Sequence, residues 1–167
     1  PQAQVLSDNT GFSRNYNEYP YGSYKTDESL LFNVNNSDDA RLHKKERVLG
    51  IKYGDVTKAY TISTFAGDLE VVNDEIGENS VVIIGSETDK FAAAFERMTT
   101  DGSILTFSAE YDQLPVVMSD NEGNLWDING MAVSGPRAGE QLTQPFSYIA
   151  YWFAWTAFFP DTSIYAQ

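Results

Sequence analysis

Short apolar runs separated by turn residues characterise the chain from residue 46 onward. The runs 48–53 and 57–62 flank Gly54-Asp55, which predicts a β-hairpin because glycine adopts the backbone angles of tight turns. Residues 80–85 form a nearly continuous apolar stretch, typical of a central strand that is buried on both faces. Such runs recur at intervals of about 8–12 residues, a spacing typical of antiparallel β domains. We therefore predict a mostly β fold of antiparallel, barrel-like sheets with a minor α-helical part.

Further turn signals delimit the remaining strands. Thr100-Asp101-Gly102 separates the segments 91–98 and 104–108, which predicts a second hairpin. Asn129-Gly130 is the residue pair that type I′ hairpin turns favour. Residues 70–74 are interpreted as a short strand that ends in a polar turn.

One uncharged segment, Ser147–Phe159, departs from this strand pattern. Trp152, Trp155 and Phe159 are spaced so that they share one face of a helix. A serine at the start is a preferred N-cap, and the proline that follows ends a helix. We predict one short aromatic helix near the C-terminus, packed against the sheet. A buried strand over the same residues is the alternative.

The first 45 residues are polar and rich in Asn, Asp, Ser and Tyr. We predict that residues 1–45 form an N-terminal arm of loops, which packs on a single mostly β domain formed by residues 46–167. An arm rich in aromatic side chains is also a candidate interface with a protein partner or with a second copy of the chain. The candidate interface residues are Tyr19, Tyr21, Tyr24 and Phe32.

Charge and the absence of cysteine narrow the partners and the location. The chain has 11 basic and 24 acidic residues, a net charge of −13. Such a surface repels phosphate, so we do not expect nucleic acid as a partner. No apolar run reaches the roughly 20 residues of a transmembrane helix, so we expect no membrane-spanning segment. Acidity together with a lack of cysteine favours an exported protein that is extracellular, on the cell surface or periplasmic.

Few residues are candidates for catalysis or ligand binding. The chain has no cysteine, which excludes thiol catalysis. His43, the single histidine, is a candidate general base, or else a loop residue that contacts the backbone. Asn73 and Asp74 come at the end of an apolar run and are candidates for binding a cation or substrate, or for stabilising a turn. Trp126 and Asp127 are further candidate binding residues, although the tryptophan also fits a core position.

Calcium is the alternative to a protein without any cofactor. Residues 120–127 resemble a calcium loop in composition but lack the spacing of its oxygen ligands. We therefore predict no cofactor and no metal site, and keep a calcium-stabilised domain as an alternative.

Several segments occur in an order that resembles a known family. They are Val48-Leu49-Gly50-Ile51, Lys58-Ala59-Tyr60, Val71-Val72-Asn73-Asp74, Phe95-Glu96-Arg97, residues 101–107, Leu125-Trp126, residues 130–142, Trp152-Phe153-Ala154-Trp155 and Phe159-Pro160-Asp161-Thr162. This ordered set is similar to the domain of unknown function 3179 family and covers about residues 19 to 165. The resemblance implies little about activity, since none is established for the family, although many members resemble exported proteins.

The chain departs from that family at two places. Many members carry a cysteine-containing motif after the segment that matches 80–84, and a histidine just before the Val-Asn-Asp segment. Gly85-Ser86-Glu87-Thr88 and Leu69 stand at these places here. Metal or redox chemistry that the family residues support is therefore not expected in this chain.

We expect a non-catalytic binding or structural module, as a subunit or accessory piece of a surface or periplasmic assembly. An enzyme is the less favoured alternative. It would use Asp74 and Asp127 as acid, base or cation ligand, and it requires the two carboxylates to meet in one pocket.

Overall fold

The structure is a computed structural model, and it describes residues 7, 9, 11–15, 17–65 and 67–166. Two short 3₁₀ turns occur at Gly22–Lys25 and Ile62–Thr64. The strands and the helix are β1 (Arg47–Tyr53), β2 (Val56–Thr61), β3 (Glu70–Ile76), β4 (Asn79–Ser86), β5 (Phe91–Glu96), β6 (Phe107–Ala109), β7 (Val116–Asp120), β8 (Leu125–Asp127), β9 (Ala132–Ser134), β10 (Phe146–Tyr151), α1 (Trp152–Thr156) and β11 (Ser163–Ile164).

The strands form three sheets. The first sheet has the order β10-β1-β2-β11, the middle sheet β3-β4-β5, and the third sheet β6-β7-β8-β9. Neighbouring strands run antiparallel, except that β11 pairs with β2 in parallel. The prediction of a mostly β, antiparallel fold is therefore confirmed, but the described strands form separate sheets and do not close into a barrel. Within the described part of the chain, no helix has the length and apolar character needed to cross a membrane.

The middle sheet is buried on both faces, and β4 shows this most clearly. Val81 and Ile83 pack in a cluster with residues of the first sheet, whereas Val82 and Ile84 pack in a cluster with residues of the third sheet. All four side chains are fully buried. Because successive side chains of a strand point to opposite faces, a strand with two covered faces needs apolar residues at every position. The prediction of a buried central strand is confirmed.

The predicted hairpin at Gly54-Asp55 is also confirmed, since β1 and β2 pair from Val48↔Thr61 to Tyr53↔Val56. A glycine inside β1 serves another purpose. A Cβ atom on Gly50 would lie 2.4 Å from ring carbons of Trp155 in α1. The missing side chain thus lets the indole ring pack directly on the strand.

The helix prediction for Ser147–Phe159 was wrong over its first half. Residues Phe146–Tyr151 form β10, which pairs with β1 from Lys52↔Phe146 to Arg47↔Tyr151. Only Trp152–Thr156 is helical, and no side chain caps its start. The backbone groups of β10 find partners in β1, which lies about a hundred residues earlier in the chain. The helical spacing of aromatic residues could not indicate this long-range pairing, and the alternative of a strand holds for this half.

Arg41 ties the described part of the N-terminal region to the domain, because its guanidinium group donates hydrogen bonds at 2.7 Å to the carbonyl oxygens of Pro160 and Thr162. Lys45 holds an earlier segment of the same region. The side chain of Lys45 is 1% exposed, and its ammonium group donates hydrogen bonds to the carbonyl oxygens of Tyr24 at 2.7 Å, Asp27 at 3.2 Å and Ser29 at 2.7 Å. The same nitrogen lies 3.4 Å from the centre of the Tyr24 ring. Residues 24–29 are therefore held against Lys45, which lies two residues before β1.

Candidate functional site

His43 bridges two parts of the N-terminal region. Its Nδ1 accepts a hydrogen bond from the backbone N–H of Lys45 at 3.1 Å, and its Nε2 lies 3.3 Å from Oε1 of Glu28. Because Nδ1 is the acceptor, the ring proton of the neutral histidine is on Nε2 and points toward the carboxylate. Neither nitrogen is free to accept a proton from a substrate while these contacts hold. The contacts favour the loop residue over the general base.

Asn73 connects the middle sheet to the third sheet. Its side-chain oxygen accepts a hydrogen bond from the backbone N–H of Phe107 at 2.8 Å, and its side-chain nitrogen donates to the carbonyl oxygen of Phe107 at 2.7 Å. The amide therefore replaces the partner that a neighbouring strand would supply to β6. Both polar atoms are occupied by the backbone, which leaves the side chain without a donor or acceptor aimed at a ligand.

Asp74 follows in β3 and points to the other face of the middle sheet. Its carboxylate accepts hydrogen bonds from the ammonium group of Lys58 at 2.5 Å and from the hydroxyl group of Tyr60 at 2.7 Å, both in β2. Burial alone raises the pKa of Asp74. The hydrogen bonds from Lys58 and Tyr60 together lower the pKa by more than burial raises it, so the pKa lies below its ordinary value. Burial, followed by the hydrogen bond to Asp74, raises the pKa of Tyr60. This group is a charged connection between two sheets.

Trp126 and Asp127 are both used within the third sheet. Trp126 is fully buried and its indole N–H donates to Oδ2 of Asp120 at 2.8 Å. Asp127 accepts hydrogen bonds from the backbone N–H groups of Asn129 at 2.9 Å and Met131 at 3.0 Å. The tryptophan thus lies in the core, and the carboxylate stabilises the turn between β8 and β9.

The two carboxylates that the enzyme alternative requires do not meet. Asp74 faces the first sheet, and Asp127 lies in a turn of the third sheet, on the other side of the middle sheet. The calcium alternative concerned the loop that begins at Asp120. One oxygen of Asp120 accepts the backbone N–H groups of Glu122 and Asn124, and the other accepts side-chain donors. Among the described residues, no three histidine, aspartate or glutamate side chains are grouped in a way that could hold a metal ion.

The predicted interface residues are partly exposed. Tyr21 is 61% and Phe32 is 66% exposed, and Tyr19 is also exposed, whereas Tyr24 is half-buried against Lys45. The three tyrosine rings are in contact, with ring centres 5.7 Å apart for Tyr19 and Tyr21 and 6.5 Å apart for Tyr21 and Tyr24. They form an aromatic patch on the arm, and the interface remains a prediction.

A cleft that sequence reasoning missed lies where the middle sheet meets the third sheet. Its volume is about 630 Å³. Its more buried lining consists of apolar side chains, which we call the cleft floor: Leu69, Phe91, Val116 and Val117. Exposed apolar side chains border the opening, with Tyr111 at 59%, Leu114 at 84% and Ile128 at 39% exposure. We call this feature the acidic cleft because carboxylate groups line it.

Four carboxylates line the acidic cleft, and they come from two walls. Asp68 precedes β3 and Asp89 lies in the turn between β4 and β5, at one end of the middle sheet. Glu110 and Asp112 lie in the loop between β6 and β7 of the third sheet. No basic residue lines the cleft among the described residues, and none of the four carboxylates forms an ion pair with a described side chain.

Each wall is held by local backbone contacts. On the middle-sheet wall, the N–H of Thr88 donates to the carbonyl oxygen of Gly67, which keeps the turn that contains Asp89 beside the segment that contains Asp68. On the other wall, the N–H of Glu110 donates to the carbonyl oxygen of Val117 at 3.0 Å. On each wall, a backbone hydrogen bond therefore helps to hold the segments that carry the carboxylates in place. The sequence carries no clear signal for this site, since single exposed apolar residues such as the tyrosine and the leucine of loop 110–114 are common on protein surfaces.

Comparison with known proteins finds a family model that covers most of the chain. A family model described as "Protein of unknown function (DUF3179)" matches residues 1–162, a range that includes both walls of the acidic cleft. No curated protein and no solved structure matches the chain. Leu69, which stands where the resemblance places a histidine in many members, lies in the floor of the cleft. That position is apolar in this chain.

Proposed function

The chain belongs to the DUF3179 family of proteins of unknown function, and we propose that it is a non-catalytic binding module with the acidic cleft as its ligand site. The ligand is an organic cation that carries an apolar group. The observation that carries this proposal is the combination of an apolar floor with four carboxylates that lack basic partners. The proposal takes up the binding function that the sequence favours and gives it a location and a ligand class.

The size and the lining of the cleft support a small organic ligand. Pockets for small molecules typically measure about 300–1,000 Å³ and combine apolar walls with a few polar groups, and the acidic cleft has both properties. Burial of apolar ligand surface against Leu69 and Phe91 favours binding. The carboxylates then select the charge of the ligand.

Charge supports a cation in particular. Asp68, Asp89, Glu110 and Asp112 share one concave surface without a counter-ion among the described residues, so their negative potentials add. An anionic ligand of the same shape is repelled, and a neutral one gains only the apolar contact.

The lining of the cleft also supports binding over catalysis. Among the described residues, the lining contains no histidine, lysine, serine or threonine, so it lacks the hydroxyl and amine nucleophiles that a neighbouring histidine or lysine activates. Its groups that can exchange protons are the four carboxylates and the hydroxyl group of Tyr111. The carboxylates Asp68, Asp89 and Asp112 belong to exposed residues, in which water screens interactions between charges.

Three phenyl compounds of similar shape test the proposal by NMR titration. 2-Phenylethylammonium is expected to shift the backbone amide signals of Leu69, Phe91 and Val117 in a saturable manner. 2-Phenylethanol is expected to bind at least tenfold more weakly, and 3-phenylpropanoate not to bind. The proposal fails if the cation does not bind, or if the alcohol binds as tightly as the cation. It fails as well if the shifted signals lie away from the two walls.

We also propose that this module acts outside the cytoplasm. The net charge of −13 supports this location because an acidic surface keeps a protein soluble in salty surroundings. The absence of cysteine supports it because an oxidising compartment then has no thiol to oxidise. Fractionation of cells that express the native gene with a C-terminal epitope tag tests the location. The tag is expected in the periplasmic, surface or extracellular fraction, and recovery in the cytoplasm alone contradicts it.

A further inference from the structure

The carboxylates of the acidic cleft stand in two pairs, and this arrangement narrows the ligand. One pair, Asp68 and Asp89, belongs to the wall at the end of the middle sheet, and the other, Glu110 and Asp112, belongs to the loop of the third sheet. A ligand with a single ammonium group can neutralise one wall only. It leaves the opposite pair without a counter-ion.

We propose that the acidic cleft binds a linear aliphatic polyamine, with one ammonium group on each wall and the methylene chain along the floor. This inference rests on the proposed function and names the chemical class of its ligand. Two ammonium groups joined by an apolar chain match a lining that combines carboxylates from two segments of the fold with apolar side chains. Each cationic end then forms charge-assisted hydrogen bonds with carboxylate oxygens.

The floor suits methylene groups and offers little to a polar spacer. Leu69, Phe91 and Val116 are partly exposed and present hydrocarbon surface to the cleft. A carbohydrate or peptide backbone laid on this floor would lose hydrogen bonds to water without replacement. An alkyl chain has no such groups, and its burial is favourable.

The opening of the cleft adds two exposed apolar side chains next to the carboxylates of one wall. Tyr111 and Leu114 are exposed at 59% and 84%, and both belong to the loop that carries Glu110 and Asp112. The face of an aromatic ring attracts an ammonium group, and a leucine side chain covers methylene groups. A bound polyamine would therefore reduce the exposure of both side chains.

A simple metal cation fits this cleft less well than an organic one. Hard divalent ions require several oxygen ligands at short distance around one point. The four carboxylates belong to two separate walls, and the described residues contain no group of three acidic or histidine side chains that could hold a metal ion. The spacer between the charges is thus part of the ligand.

Calorimetric titration with matched amines tests the inference on the full chain. The ligands are 1,6-diaminohexane, hexylamine, spermidine and 1,6-hexanediol, measured at low ionic strength because salt screens these interactions. The diamine and spermidine are expected to bind at least tenfold more tightly than hexylamine, and the diol not to bind. Magnesium chloride at equal ionic strength is expected to compete no better than sodium chloride.

Two double variants locate the two ends of the ligand. Asp68→Asn with Asp89→Asn removes one pair, and Glu110→Gln with Asp112→Asn removes the other. Each is expected to reduce diamine affinity to the level of hexylamine. Asparagine is suitable at position 112 because Asp112 has a φ of 58°, a conformation that asparagine tolerates.

A third double variant controls for the general attraction between a chain of net charge −13 and any polycation. Asp55→Asn with Glu78→Gln removes the same number of charges from the β1–β2 and β3–β4 turns, outside the cleft. It is expected to retain the diamine affinity of the native chain, and thermal melting verifies that all three variants are folded.

The outcomes separate the inference from the function on which it rests. If hexylamine binds as tightly as the diamine, the polyamine inference is wrong while the cation-binding function stands. If no amine binds, both are wrong. If the control variant loses as much affinity as the wall variants, the attraction is general and the cleft is not the site.

Discussion

The carboxylate of Asp74 in β3 accepts a hydrogen bond of 2.7 Å from the hydroxyl group of Tyr60 in β2 and joins the middle sheet to the first sheet. Tyr60 is fully buried, and its ring stacks on that of Tyr165, with ring centres 5.1 Å apart. The ammonium group of Lys58 completes the charged group. Asp74, a candidate binding residue in the sequence, thus holds two layers of the fold together.

The Asp74→Asn substitution is expected to destabilise the protein by about 1–3 kcal/mol, the usual range for hydrogen bonds to a charged group. The asparagine retains an acceptor for Tyr60 but leaves the half-buried ammonium group of Lys58 without its counter-charge. Urea unfolding at pH 7 measures the difference. An unchanged unfolding midpoint would contradict the role assigned to Asp74.

The effect of that substitution should depend on pH in a defined direction. The pKa of Asp74 is lowered in the folded protein, because the hydrogen bonds from Lys58 and Tyr60 outweigh burial, which raises it. The stabilisation is therefore complete above the pKa of the unfolded chain, about 3.9, and is lost as the pH falls through the folded pKa. The free energies of unfolding of the native and Asp74→Asn proteins are expected to differ at pH 7. They are expected to begin to converge below about pH 4 and to coincide once the pH is below the folded pKa of Asp74.

The Asn73→Ala substitution is expected to cost about 2–3 kcal/mol, since it leaves the N–H and the carbonyl oxygen of Phe107 without their partner. Asn73→Asp is the matched control, because it keeps an acceptor for the N–H but removes the donor to the carbonyl oxygen. Hydrogen exchange at the Phe107 amide is expected to be fast in the alanine variant and slow in the aspartate variant. Equal protection in both would refute the bridging role of Asn73.

Lys45→Met is expected to release residues 24–29 from the end of the N-terminal region, two residues before β1, while it preserves most of the buried packing. The carbonyl oxygens of Tyr24 and Ser29 lose their donor, so the segment opens locally before the sheets unfold. Limited proteolysis after residue 25 is expected to accelerate at least tenfold. The control is Lys44→Met, which removes the neighbouring positive charge. If it accelerates cleavage equally, net charge explains the result.

Gly50→Ala is expected to destabilise the protein by about 1–3 kcal/mol, the usual cost of overpacking, because the new methyl group would overlap the ring of Trp155. In a Trp155→Leu background the ring is absent, and the same glycine substitution is expected to cost less. A double-mutant cycle measured by urea unfolding gives the coupling. Additive effects of the two substitutions would show that contact between the two positions does not determine the cost.

Local sequence patterns predicted the elements in which the burial or the backbone angles of each position restrict the type of residue found there. The run 80–85 was predicted as a buried central strand because two covered faces exclude polar side chains throughout a strand. The Gly54-Asp55 turn was predicted because few residues adopt the backbone angles of a tight turn. The family resemblance, read from ordered short segments, was confirmed by a match over residues 1–162.

Local patterns were insufficient where partners come from distant parts of the chain. Residues 146–151 carry aromatic residues at helical spacing, but their backbone pairs with β1. Asn73 and Asp74 are adjacent and were considered together, although they face opposite sides of the middle sheet. Alternation along a strand separates neighbours, and only knowledge of the flanking sheets shows what each of them contacts.

The sequence by itself determined which segments are buried, where the chain turns, and that the surface is acidic, because these properties follow from the chemistry of single residues and short runs. Only the tertiary structure decided which acidic residues stand together. Asp68, Asp89, Glu110 and Asp112 belong to loops that carry ordinary polar residues in the sequence. They face one cleft because the end of the middle sheet packs beside the loop of the third sheet, and such packing depends on contacts across the whole chain.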